Sequence, residues 1–96
     1  MSSRYSAEQI IDAVRAIFLA KGSERERLHL AIAELNNANK ECYRSDFSNE
    51  LWKELQELLY DGSRIEERQD FELREYAYQI VEFALQYDRE DAIRNR

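Results

Sequence analysis

The sequence predicts an all-α protein: an antiparallel, up-down-up-down four-helix bundle or a compact four-helix cluster. Three observations predict this fold class. Apolar residues recur with the period of an α-helix in four segments, the chain has no proline and only two glycines, and no stretch alternates as a strand does. Each glycine is followed by a serine that begins a capping-box pattern, so each Gly-Ser pair indicates a helix end and a new start. Such short connections favour antiparallel neighbours.

The first two helices are predicted at 7–20 and 24–41. Between them, Gly22 is expected to adopt a left-handed conformation, and Ser23 with Glu26 forms the capping box of helix 2. A third pattern of this kind, Ser6 with Gln9, marks the start of helix 1. The apolar residues of helix 1 fall on one face, which we expect to be buried: Ile10, Ile11, Val14, Ile17 and Phe18. Those of helix 2 are Leu28, Ala31, Ile32, Leu35 and Ala38.

Helix 3 should begin after Ser48 and end near Tyr60, with Phe47 and Trp52 placed to form a hydrophobic staple. Gly62 is expected to close it in a left-handed conformation, and Ser63 with Glu66 to cap the next helix.

Helix 4 is predicted as one segment from about 64 to 87 or beyond. A break at Asp70, with Asp70 as N-cap, is the alternative, because Glu66 and Gln69 interrupt the apolar stripe. That stripe consists of Leu73, Tyr76, Ala77, Ile80, Ala84 and Tyr87, widened by Val81 and Phe83. The chain should form one domain over 1–96, with frayed ends at about 1–5 and 89–96.

The formal net charge of −6 resides in the second half of the chain. Residues 1–48 carry seven basic and seven acidic side chains, whereas residues 49–96 carry seven basic and thirteen acidic ones. An acidic field repels nucleic acid and attracts basic surfaces, although solubility alone is a competing explanation for it. With a single cysteine, no secretory segment and no long apolar run, we expect a cytoplasmic protein that does not enter a membrane.

No residue pattern indicates a catalytic, cofactor or metal site. His29, the only histidine, lacks an evident nucleophile or carboxylate partner, and Cys42 near a helix C-terminus lacks an activating group. One histidine and one cysteine are too few for the common structural zinc sites. A DNA-binding helix-turn-helix around residues 21–23 is a less favoured alternative, because the chain has no basic stripe.

Five residues are the candidate partner-binding residues: Glu67, Glu75, Tyr78, Glu82 and Leu85. On a helical wheel they lie away from the apolar stripe of helix 4, and exposed aromatics among carboxylates are typical of protein-binding surfaces. We therefore expect an interaction module, such as an inhibitor, an immunity-type protein or an adaptor, that docks a basic partner through helices 3 and 4. The alternatives are a homo-oligomer and a ligand-binding or enzymatic domain that uses an inter-helix pocket lined by His29 or a tyrosine.

Overall fold

A computed structural model describes residues 2–94 and confirms the all-α fold. Its helices are α1 (Ser2–Leu19), α2 (Glu24–Glu41), α3 (Asn49–Gly62) and α4 (Asp70–Arg94), with 3₁₀ turns at Arg44–Asp46 and Ile65–Glu67. Each helix packs against the next one in sequence, and α4 also packs against α1, which closes the four helices around a common core. No strand occurs within 2–94.

The connection between α1 and α2 has the predicted chemistry. Gly22 adopts a φ of +112°, which disfavours any residue with a side chain. The Ser23 hydroxyl accepts a hydrogen bond from the Glu26 amide at 3.2 Å, and the Glu26 carboxylate accepts one from the Ser23 amide at 3.3 Å. The capping box is therefore confirmed, and α2 has the predicted bounds.

The start of α3 also follows the prediction. The Ser48 hydroxyl accepts a hydrogen bond from the Leu51 amide at 3.1 Å, and the Phe47 and Trp52 rings lie 5.6 Å apart between centroids. These contacts are an N-cap and a hydrophobic staple. Phe47 also contacts the Tyr87 ring at 5.5 Å, so the same staple joins the start of α3 to α4.

Gly62 does not close α3 in a left-handed conformation, and that prediction is wrong. It is the last residue of α3, and within 2–94 only Gly22 has a positive φ. A Cβ atom at position 62 would lie 2.6 Å from the Tyr76 hydroxyl and 3.0 Å from Cγ1 of Ile32. The glycine therefore allows α2 and α4 to approach the end of α3 closely, and the Tyr76 hydroxyl donates a hydrogen bond to the Leu58 carbonyl at 2.8 Å.

The predicted capping box of Ser63 and Glu66 is absent, and helix 4 is not continuous. The Ser63 hydroxyl donates to the Tyr60 carbonyl at 2.6 Å instead, and the chain makes a 3₁₀ turn because Ile65 is drawn into the core. Helix α4 begins at Asp70, as in the alternative prediction. Asp70 is its first helical residue rather than its cap, since the amide of the preceding Gln69 donates to the Glu72 carboxylate at 3.2 Å.

The connection between α3 and α4 is anchored on α2. The Arg25 guanidinium donates hydrogen bonds to the Ile65 carbonyl at 2.6 Å and to the Arg68 carbonyl at 3.0 Å. Charge-assisted bonds of this kind are stronger than bonds between neutral groups. One side chain of α2 therefore fixes the first residue of the 3₁₀ turn and the residue that follows the turn.

The helices extend into the segments that were expected to fray. Residues 2–5 belong to α1 and residues 89–94 to α4, while positions 1, 95 and 96 lie outside the described residues. Ser6 is inside α1 and buried, so its predicted capping role is wrong; its hydroxyl donates to the Asp46 carboxylate at 2.8 Å. The Tyr5 hydroxyl donates to Glu41 at the end of α2. These two bonds hold the first turns of α1 against the α2–α3 connection.

The core confirms most of the predicted apolar stripes. Its largest fully buried side chains include Leu28, Leu35, Leu51, Leu55, Leu73, Ile80 and Phe83. Helix α1 differs from the prediction, because Ile10 is buried whereas Ile11 and Phe18 are exposed. None of the described helices is long and apolar enough to cross a membrane.

Candidate protein-binding surface

Four of the five candidate residues form one exposed ridge on α4. Glu75, Tyr78, Glu82 and Leu85 are spaced by three and four residues, which aligns them along the helix. The Tyr78 and Leu85 side chains are 65% and 56% exposed, so the predicted outward orientation is confirmed. A hydrogen bond with Glu82 raises the pKa of the Tyr78 hydroxyl.

Glu67, the fifth candidate residue, does not belong to this ridge. It lies in the 3₁₀ turn before α4, and its carboxylate is 3.5 Å from the Arg64 side chain. The prediction that Glu67 shares a face with Tyr78 depends on a helix 4 that is continuous from residue 64. Because α4 begins at Asp70, the helical register does not extend to Glu67.

Acidic side chains of α3 face the ridge from one side. Partial burial, together with the nearby carboxylates of Glu57 and Glu82, raises the pKa of Glu54. Among the described side chains, no Lys or Arg forms an ion pair with Glu54, Glu57, Glu75 or Glu82. We call these four residues the acidic face. Glu54, Glu57 and Glu82 bring like charges from two helices together without a paired cation, and Glu75 lies two helical turns before Glu82 on α4.

Arg68, a half-buried cation on this side, is already engaged. Its guanidinium lies 3.0 Å from the Glu72 carboxylate and 3.9 Å from Asp61. These residues line a small polar pocket of about 120 Å³ between the 3₁₀ turn and α4, together with Glu75 and the Tyr76 side chain. Bonds from the Gln69 amide and from Arg68 lower the pKa of Glu72. Arg68 is thus paired with Glu72 and Asp61, and it forms no ion pair with a residue of the acidic face.

An apolar groove between α1 and α4 flanks the ridge on its other side. It consists of two adjoining hollows of about 370 and 240 Å³ that share Val81. Phe18, 63% exposed, lies with Tyr78 in the first hollow, and Ile11 lies with Leu85 in the second. Val14 and Ile17 form the half-buried floor with Val81. We call this the α1–α4 groove.

The sequence contained a signal for both surfaces that the prediction missed. Ile11, Val14 and Phe18 repeat the spacing of Ile10, Ala13 and Ile17 one position later, so α1 carries two apolar ribbons. A single buried face needs only one of them. On α3, Glu54 and Glu57 are three residues apart and therefore share a face, but their proximity to Glu82 depends on how α3 packs against α4.

The remaining candidate groups lie apart from these surfaces. His29 is exposed, and its Nε2 contacts the Glu66 carboxylate across the contact of α2 with the 3₁₀ turn. Cys42 is half-buried, and burial raises the pKa of its thiol. Within 2–94, no three His, Cys, Asp or Glu side chains are grouped as metal ligands are. Neither the models of known protein families, nor curated proteins, nor solved structures give a match to this chain.

Proposed function

We propose that this chain is a small interaction module that docks a basic protein partner on the acidic face of α3 and α4, with Tyr78 as an aromatic anchor beside it. The observation that carries the proposal is that Glu54 lies near the carboxylates of Glu57 and Glu82, and that none of the three forms an ion pair with a described Lys or Arg side chain. Like charges held close to one another weaken the free protein, and a basic partner would remove that repulsion when it binds.

Tyr78 adds a reason to favour a protein partner over a simple counterion. Its ring is 65% exposed next to Glu75 and Glu82, and tyrosines surrounded by polar groups are frequent binding hot spots. An acidic field also accelerates encounter with a basic surface. Inhibitors, immunity-type proteins and adaptors use surfaces of this kind, and the reducing cytoplasm is the setting that we propose for this one.

The alternative of an enzymatic or ligand-binding pocket has less support. The His29 side chain lies at the surface against Glu66, and the Tyr76 hydroxyl is committed to the Leu58 carbonyl. For these reasons neither side chain offers a free polar group to a substrate inside an enclosed pocket.

The test compares two triple variants with the same change in net charge. The site variant carries Glu54→Gln, Glu57→Gln and Glu75→Gln, and the matched control carries Glu8→Gln, Glu34→Gln and Glu67→Gln. Binding of a labelled Lys/Leu amphipathic peptide of about 20 residues is measured by fluorescence anisotropy at several salt concentrations. We expect the site variant to bind about tenfold more weakly, since three charges at about 0.5 kcal/mol each give that factor.

The control shows whether peptide binding depends on the acidic face or only on the net charge of the chain. It should stay within about twofold of the unmodified protein at moderate salt. Equal weakening of both variants would mean that only the overall charge matters, which is the solubility explanation. The same pair of variants, used to capture proteins from extracts of the native cell, should then discriminate a specific partner from proteins that bind any acidic chain.

A further inference from the structure

The α1–α4 groove has a twofold pattern, and Tyr78 is the only one of its residues that the proposed function uses. Helix α1 contributes exposed Ile11 and Phe18, and α4 contributes exposed Tyr78 and Leu85, each pair seven residues apart. Seven residues span about 10 Å of helix, so the four side chains mark the corners of a rectangle. Because α1 and α4 run antiparallel, Phe18 lies level with Tyr78, and Ile11 lies level with Leu85. Within 2–94, no other segment of the chain covers this rectangle.

We propose that the groove is the interface at which two copies of this chain associate, related by a twofold axis parallel to the helices. In this arrangement α1 of each copy lies on α4 of the other, Phe18 packs on the Tyr78 ring of the second copy, and Ile11 packs on Leu85. The same patch serves both copies, as an isologous interface requires.

Charges at the edges of the groove select this occupant and this axis. Arg15 lines the groove level with Val81. Glu82 is exposed one position after Val81, about 100° further round α4, so it lies outside the groove on the outer side of that helix. With the axis parallel to the helices, Arg15 of one copy faces Glu82 of the other, twice per dimer. With an axis perpendicular to the helices, α4 of one copy would lie on α4 of the other, and Glu82 of one copy would face Glu82 of the other. Like charges in that position are unfavourable.

The net charge of the groove also favours a second copy over a basic partner. Its charged lining residues are Arg15, Arg27, Arg74, Glu24 and Asp88, three basic and two acidic side chains in a chain of net charge −6. A basic partner gains little there, whereas two copies can approach through this face while the α3 carboxylates Glu54 and Glu57 of each copy point away from the other. The inference does not rest on the proposed function. It shares Tyr78 and Glu82 with that surface, but it depends on Ile11, Arg15 and Phe18 of α1, which the proposed function does not use.

The size of the face predicts a weak dimer. Helix α1 has 18 residues, or about 27 Å, and two adjacent helices are about 20 Å wide, so each copy offers about 540 Å² of projected face. Two copies together bury about 1,100 Å², at the lower end of specific interfaces. Dissociation in the micromolar range is expected.

Sedimentation velocity from about 5 to 500 µM tests the proposal. The mass should rise from 11.5 kDa towards twice that value across this range. Phe18→Lys and Leu85→Lys should each keep the chain monomeric at the highest concentration, with helical circular dichroism unchanged because both side chains are already exposed. Leu30→Lys is the matched control, since Leu30 is 51% exposed on α2 outside the groove, and it should dimerise normally.

A charge exchange tests the axis. Arg15→Glu and Glu82→Arg should each weaken association at least about fivefold, and the double variant should recover it. A monomer throughout the concentration range, or a dimer that tolerates Phe18→Lys, would overturn the proposal. If the double variant does not recover association, the arrangement of α1 on α4 would be overturned. The Phe18→Lys variant should still bind the Lys/Leu peptide as a monomer. Failure of the dimer proposal can therefore be distinguished from failure of the proposed function.

Discussion

Replacing Gly62 by alanine places a methyl group where three helices meet. The added Cβ would lie 2.6 Å from the Tyr76 hydroxyl and 3.0 Å from Cγ1 of Ile32. Real Cβ contacts are essentially never as short as 2.6 Å, so the Tyr76 hydroxyl must move away from the Leu58 carbonyl to which it donates at 2.8 Å. The substitution therefore has two opposing effects on stability. The higher helix propensity of alanine stabilises α3, whereas the clash and the loss of a buried hydrogen bond destabilise the fold.

The two effects differ in magnitude. Alanine is favoured over glycine in a helix by about 1 kcal/mol. Loss of a buried hydrogen bond costs about 1–3 kcal/mol when an acceptor is left without its partner, and overpacking costs a further 1–3 kcal/mol or so. Packing therefore outweighs propensity, and we expect Gly62→Ala to lower the free energy of unfolding by about 3 kcal/mol.

Urea denaturation followed by circular dichroism at 222 nm measures this change, and a constant m-value would show that the unfolded state is unaffected. Tyr76→Phe provides the control, because it removes the hydroxyl at a cost of about 1 kcal/mol. In that background Gly62→Ala should cost less than about 1 kcal/mol, since only the contact with Ile32 remains. An alanine variant as stable as the unmodified protein, or more stable, would refute the close-approach explanation.

Three further substitutions examine the cap, the acidic face and the core. Ser48→Ala should lower stability by about 1 kcal/mol through loss of the N-cap of α3, whereas Ser45→Ala in the preceding turn should have little effect in the same urea titration. Glu54→Gln should raise stability at pH 7 by about 0.5 kcal/mol. Since its folded pKa is raised, the repulsion exists above that pKa and disappears as pH falls towards the ordinary value, so the gain should vanish near pH 4; a gain that persists there would exclude charge as its cause. Ile80→Asp buries an unpaired charge at a fully buried position and should abolish the cooperative thermal transition, while an intact transition would place Ile80 outside the core.

The parts of the fold that the sequence predicted are those determined by neighbouring residues. The bounds of α2, the capping box at Ser23 and the staple of Phe47 with Trp52 each depend on groups within five positions of one another. Local chemistry of this kind is visible in a single sequence. The exposed orientation of Tyr78 and Leu85 followed from helical spacing alone, for the same reason.

The errors arose where distant residues decide the outcome. Ser63 and Glu66 have the same pattern as Ser23 and Glu26, yet burial of Ile65 and the hydrogen bonds from Arg25 favour a 3₁₀ turn there. The position of Gly62 after an apolar segment predicts a left-handed helix end, whereas its actual neighbours come from α2 and α4. Similarly, the second apolar ribbon of α1 was assigned to the core because nothing local shows that four helices leave it uncovered.

The hydrogen bonds from Arg25 to the carbonyls of Ile65 and Arg68 have a kinetic consequence. They immobilise the corner at which α3 turns into α4, so the angle between the two helices of the acidic face does not have to be found during binding. A partner would meet a surface already in its final shape, with little conformational entropy lost on this side of the complex. Association rates should then fall as ionic strength rises, because diffusion and charge rather than rearrangement limit the encounter.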